Sequence, residues 1–188
     1  MLLNQEIITT VVKQIDTLQI SNLVVDPVMV SRTGAQLIDD EAVKTLRDSL
    51  IPLATVLTPN RYEAQILSGL EIKSLDDMKA AAQTIHEKLK VKAVLVKGGG
   101  MQGSLRGIDI WFDGKNLETL FTQLVATKNT HGTGCTLSAA IAANLARGDS
   151  LFKAARQAKE YVSYALNNAL DIGKGQGPVG HFFPLLKK

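Results

Sequence analysis

Apolar positions along the chain switch repeatedly between a helical and an extended rhythm. Residues 5–18 place Ile7, Ile8, Val11, Val12, Ile15 and Leu18 on one face of a helix. "NLVVDP" (22–27) is a short apolar run ended by proline and predicts a buried strand. A helix is expected over 39–50, with acids in its first turn, then a strand over 54–59 and a short helix over 61–69 ended by glycine. Residues 74–89 open with a Ser-x-x-Asp capping signal and carry Met78, Ala82, Ile85 and Leu89 on one face. "KAVLVKGG" (92–99) reads as a strand, and 108–125 as a hairpin turning at Asp113-Gly114. Two helices follow. The first starts on Gly132-Thr133-Gly134-Cys135, with Leu137, Ile141 and Leu145 as its stripe and Arg147-Gly148 as its close; the second spans 151–170.

Strands alternating with helices predict an α/β fold, a largely parallel open sheet covered on both faces, in one domain spanning 1–188. Sites in such folds form at the carboxyl ends of strands. Those ends hold Asp26-Pro27-Val28, Thr58-Pro59-Asn60, Lys97-Gly98-Gly99 and the loop into Gly132.

Composition removes several function classes. The chain has 188 residues, 45% hydrophobic, and a mean hydropathy of +0.07, which suits a soluble domain with a real core. Net charge is +3, but the basic residues are scattered and aromatics are only 5%, so nucleic acid is not expected as a partner. A single cysteine excludes an internal disulfide and any multi-cysteine zinc site, and suits a reducing cytoplasm. The first residues lack a basic region followed by a long apolar core, so no signal peptide is expected, and no apolar run is long enough to span a membrane.

Each candidate residue has a plain reading beside a chemical one. Glycines before a helix allow a tight turn; they also allow an anion to reach free N–H groups, which the helix dipole favours. "GGGMQG" (98–103) matches the dinucleotide fingerprint by letters, yet no helix follows it, so NAD binding is rejected. Asn60 and Glu63 have the spacing of a capping box, or could organise a magnesium ion. Asp26 could simply end a strand, whereas Lys97 is carried by an apolar run towards the sheet edge. His86 is expected on a polar helix face and His181 in a tail, while His131 shapes the turn or touches a phosphate. Cys135 is either a small buried thiol or one exposed to whatever the turn binds.

"DPVMVSRTGAQLI", "LTPNRYEA", "VLVKGG", "NTHGTGCTLSAAIAANLARG" and "GKGQGPVGHFF" occur in this order. Together they resemble the hydroxymethylpyrimidine and phosphomethylpyrimidine kinases of thiamin biosynthesis, within the ribokinase-like superfamily. The resemblance implies a three-layer α/β/α fold. It also implies ATP- and Mg2+-dependent phosphorylation of an aminopyrimidine alcohol, and then of its monophosphate. By position, Gly132, Thr133, Gly134 and the N–H of Cys135 resemble the anion hole for the transferring phosphoryl group. Cys135 would take the substrate hydroxyl proton, and Lys97 would neutralise nucleotide phosphate. Asn60 and Glu63 would organise the magnesium, with Asp26 near metal or phosphates and His131 beside the nucleotide. Val28 and Met1 would line the pyrimidine pocket.

Family members begin well upstream, with strands, a glycine-rich substrate loop and a flap. The resemblance therefore implies a chain lacking that N-terminal portion, about the last two-thirds of the family domain. Either the chain is a fragment or truncated gene product, or another chain covers the apolar edge of its open sheet, and a homo-oligomer is expected. Arg32 stands where the family usually has lysine. Two rival readings remain: a vitamin B6 kinase, which shares Gly-Thr-Gly-Cys, and a non-catalytic nucleotide-binding module.

Overall fold

The computed structural model describes residues 1–31 and 35–186, which form two compact units, Met1–Leu120 and Phe121–Lys188. Arg32 lies outside the described residues.

The first unit is built on a five-stranded sheet, in the order β1 (Val24–Val25), β2 (Val56–Leu57), β3 (Ala93–Val96), β4 (Asp109–Phe112), β5 (Leu117–Leu120). The first three strands are parallel, with Val24 opposite Val56 and Val56 opposite Ala93. The β4–β5 hairpin then adds antiparallel to β3. Asp113 Oδ1 holds the hairpin turn by accepting the N–H groups of Lys115 and Asn116, and Gly114 supplies the left-handed φ of 84°. The hairpin ends at Leu120, and residues 121–125 do not pair as expected. Trp111 is fully buried at the centre of β4.

Helices follow their caps. Helix α1 (Gln5–Thr17) starts where the Asn4 side chain accepts the Ile7 N–H, and it buries Ile8 and Ile15. Ile7 and Leu18, expected on the same face, are exposed: Ile7 sits a sixth of a circle or more off the stripe, and Leu18 lies past the last helical residue. Helix α2 (Asp40–Thr45) is shorter than 39–50. It widens to a π turn over Leu46–Leu50 and tightens to 3₁₀ at Ile51–Leu53, because Pro52 has no N–H to continue the ladder. Helix α3 (Arg61–Ser68) ends on left-handed Gly69. Helix α4 (Leu75–Leu89) has the expected Ser74–Asp77 capping box and buries Met78, Ala81, Ala82 and Ile85.

"GGGMQG" forms short 3₁₀ turns, Gly98–Gly100 and one beginning at Gly103, and starts no α-helix. A Cβ on Gly98 would lie 1.8 Å from the Ile108 carbonyl oxygen, and the Gly98 N–H donates to the buried Asp109 carboxylate at 2.8 Å. These glycines let two backbone segments approach.

In the second unit α5 (Thr133–Ala146) packs on α6 (Leu151–Asn167), and a glycine-rich tail ends in the short α7 (Phe183–Leu186). Among the described residues no helix is long and apolar enough to cross a membrane.

Candidate active site

Parallel pairing sets the carboxyl ends of β1, β2 and β3 along one edge. The register continues one step further, where the Lys97 N–H donates to the Pro59 carbonyl at 2.8 Å and Asn60 bridges Lys97. Asp26 and Lys97, which follow β1 and β3, therefore face each other across β2. Their side chains form an ion pair, Nζ to Oδ1 at 2.7 Å, each about one-seventh exposed (14% and 15%). Lys97, expected to neutralise nucleotide phosphate, is paired with Asp26 in this structure. Thr58, fully buried, donates to Asp26 at 3.4 Å.

Glu63 is the innermost acid of this cluster, 1% exposed. Its Oε2 accepts the Asn60 N–H at 2.8 Å, while Asn60 Oδ1 accepts the Glu63 N–H at 3.0 Å. The capping box is real, and it aims the acid inward. Burial pushes its carboxyl up from 4.5 to about 7, against the attraction of Lys97 and hydrogen bonds from the Asn60 and Met29 backbone; Asp26 adds repulsion. No group of three or more His, Cys, Asp or Glu among the described residues forms a metal cage. Magnesium does not need one, since it is held through one or two carboxylates plus substrate phosphates. A buried acid repelled by a second carboxylate fits that donor set. Val28 is half-buried just past Asp26, its N–H donating to the Asp26 carbonyl, and Met1 is exposed.

The second unit carries the other candidates as one continuous turn. Gly132 caps α5 in the left-handed region, φ 87°, with no side-chain capping bond. The Thr136 N–H returns to the Gly132 carbonyl at 2.9 Å, starting the ladder. Among the described residues the N–H groups of Gly134 and Cys135 have no hydrogen-bond partner, as expected of first-turn donors. Cys135, the third helical residue, is exposed rather than a packed core thiol. His131 pairs with Pro178 of the tail.

The tail, quoted above as a motif, makes contacts with the α5 turn that sequence reasoning did not foresee. Gly177 donates to the buried Asn129 side chain at 2.9 Å, and its Cβ would lie 2.2 Å from the Leu170 carbonyl. His181, set aside as a tail residue, has its Nε2 2.7 Å from Thr136 Oγ1. The glycine spacing of "GKGQGPVGHFF" was the available signal. The same unit holds an open cavity of about 360 Å³ lined by Leu124, Val125, Thr127, Leu166, Asn167 and Ala169, which present mainly polar atoms to it.

Residues 1–180 match the phosphomethylpyrimidine kinase family. The chain belongs to that family. It is 55% identical over 185 residues to a hydroxymethylpyrimidine/phosphomethylpyrimidine kinase of Synechococcus elongatus, covering 98% of this chain and 70% of that protein. It is 42% identical to a chloroplastic thiamine biosynthetic bifunctional enzyme of Arabidopsis thaliana, all of this chain covering 36% of that one. The crystal structure of an ADP complex of Bacillus subtilis pyridoxal kinase superposes with a TM-score of 0.89 at 38% identity, covering 100% of this chain and 69% of that one. This family chain thus spans about two-thirds of the length of two of these relatives and about a third of the bifunctional one.

Proposed function

We propose that the chain supplies the phosphoryl-transfer machinery of a kinase that uses ATP and Mg2+ to phosphorylate hydroxymethylpyrimidine, and then its monophosphate. The observation that carries this reading is the start of α5: a left-handed glycine cap with unclaimed N–H groups at Gly134 and Cys135, beside an exposed thiol. Such donors stabilise charge on a phosphoryl group in transit. Cys135, entering the step as the thiolate and leaving it as the thiol, then accepts the proton of the substrate hydroxyl as that hydroxyl's oxygen attacks the γ-phosphorus and ADP leaves. His131 stands at the mouth of the turn. The cavity beside Leu166 and Ala169 takes the nucleoside, its volume within the roughly 300–1,000 Å³ usual for small-molecule sites.

Asp26, Asn60 and Glu63 would hold magnesium, which supplies charge neutralisation on the phosphates when bound. Lys97 exchanges its bond to Asp26 for one to nucleotide phosphate. Val28 and Met1 are proposed as pyrimidine contacts. The single cysteine suits a reducing cytoplasm, and the exposed Leu3, Ile7 and Leu18 suit a homo-oligomer.

The likeness to a pyridoxal kinase favours one second reading, a vitamin B6 kinase. An ADP-release assay with each alcohol decides between them. Faster turnover with the pyrimidine alcohol is expected, and Cys135→Ala should lower turnover more than ATP affinity. Preference for pyridoxal would replace the pyrimidine reading, and ATP binding without turnover of either alcohol would leave a nucleotide-binding module.

A further inference from the structure

Thr136 sits in the first turn of α5 and is buried. Its hydroxyl contacts the Gly132 carbonyl at 2.7 Å and His181 Nε2 at 2.7 Å. A hydroxyl has one proton to give. The carbonyl has none, so the Thr136 proton goes to Gly132, and the second contact is a hydrogen bond only if the ring nitrogen donates. The relay therefore runs from His181 Nε2–H to Thr136 Oγ1–H to the Gly132 carbonyl. That carbonyl also takes the Thr136 N–H, so its orientation is fixed twice. Because a peptide unit is planar, pinning the Gly132 carbonyl also orients the Thr133 N–H on its far side, which donates to the Thr130 carbonyl at 3.4 Å. It so sets the direction in which the next N–H groups, those of Gly134 and Cys135, leave the turn. This pinning acts where the backbone is left-handed and has no capping side chain.

His181 is itself held firmly. The Tyr161 hydroxyl donates to its carbonyl at 2.8 Å, and the Gly180 N–H donates to Ala165 at 2.9 Å. A Cβ on Gly180 would lie 1.9 Å from the Asn168 carbonyl, so the tail lies close on the end of α6. Phe183, buried, packs on the rings of Tyr161 and Tyr164. Packing of the tail uses the glycine and the phenylalanine; the imidazole–hydroxyl bond is not needed for it.

We propose that His181 is a positioning residue for phosphoryl transfer, donating through Thr136 to hold the Gly132 turn in the shape that aims the α5 N–H groups. The inference rests on reading that turn as the phosphoryl site. Ring ¹⁵N spectra of the wild-type chain at mildly alkaline pH should show the proton on Nε2. In the full chain, His181→Ala should lower kcat about tenfold with ATP KM within about twofold, the signature of lost alignment rather than lost binding. His181→Gln, whose carboxamide can donate to Thr136, should recover most of that loss, and adding His181→Ala to Thr136→Val should cost nothing more.

A bare Nε2 in wild type overturns the proposal, as does an equal kcat loss in the Ala and Gln variants. Amide shifts of Gly134 and Cys135 on adding Mg-ATP separate the two readings. If neither moves in wild type, the phosphoryl-site reading fails and with it the positioning role of His181. If both move identically in wild type and His181→Ala, the site stands and the positioning role falls.

Discussion

The two candidate regions do opposite things with charge. At the strand ends of the first unit a half-buried lysine and aspartate neutralise one another, beside a fully buried glutamic acid whose carboxyl is held towards its neutral form. At the α5 turn of the second unit there is no formal charge to neutralise; backbone N–H groups point out with their hydrogen bonds unmade. One region keeps ions in waiting at the cost of desolvating them. The other keeps partial charges fixed by backbone geometry, through a left-handed turn that glycine adopts without strain. On the proposed reading the first region supplies counter-ions that exchange and the second supplies donors that do not move. Substitutions in the first region should therefore disturb folding and chemistry together, and those in the second should separate them.

Lys97→Ala gives the largest effect expected. It leaves Asp26 and Glu63 facing each other with no cation between, and breaking a pair this buried costs about 3 kcal/mol. Turnover should fall by at least about 10²-fold, as when one charge-stabilising group is lost. Urea denaturation and ADP release measure the two losses. Pairing Asp26→Asn with Lys97→Met should restore stability without restoring turnover. A double variant that regains turnover would show that the ion pair serves the fold only.

The acid beneath that pair gives the next effect, and it depends on pH. The folded carboxyl of Glu63 titrates near 7, above its ordinary 4.5, so between those values the folded state holds a proton that the unfolded chain has lost. Stability is then fully present below about 4.5, falls as pH rises through this window, and is flat above 7, a loss of about 3 kcal/mol. Glu63→Gln keeps an oxygen for the Asn60 N–H, as glutamine also serves in a capping box, but has nothing to titrate. Its urea midpoint should change less across the window, and exceed wild type above it. Parallel curves for the two proteins would mean that Glu63 is already ionised when folded.

What could be read from the sequence was what is decided within a few residues. The Asn60–Glu63 and Ser74–Asp77 caps, the Asp113-Gly114 turn and the glycine start of α5 are all local, and each stands where its pattern put it. Strand ends were over-read because an apolar run does not say where pairing stops; 22–27 contributes only Val24 and Val25 to the ladder. The segment expected as a helix over 39–50 is helical over 40–50, but its change from α to π after Thr45 carries no local signal. The bonds that organise the candidate sites join residues far apart, 71 positions for Lys97–Asp26 and 45 for His181–Thr136. No spacing rule reaches that far, and only the fold brings the partners together.

The smallest effect isolates backbone geometry from charge. Gly132 and Gly69 both adopt the left-handed region, with φ of 87° and 78°, and a Cβ at either would meet nothing within 4 Å. Alanine at each should therefore impose the same strain, about 1 kcal/mol, without any clash. Gly69 ends α3, where the helix offers carbonyls, whereas Gly132 begins α5, where it offers N–H groups. The two variants should lose equal stability in urea. Gly69→Ala should bind ATP and turn over as wild type does. In Gly132→Ala the strain is relieved by rotating the peptide that carries the first-turn donors, so turnover should drop about tenfold while folding changes no more than in its counterpart. Strain at these two glycines is matched, so any difference between the variants reports what the turn's N–H groups contribute. Equal activity in both proteins would mean that the α5 turn is only a way of starting a helix.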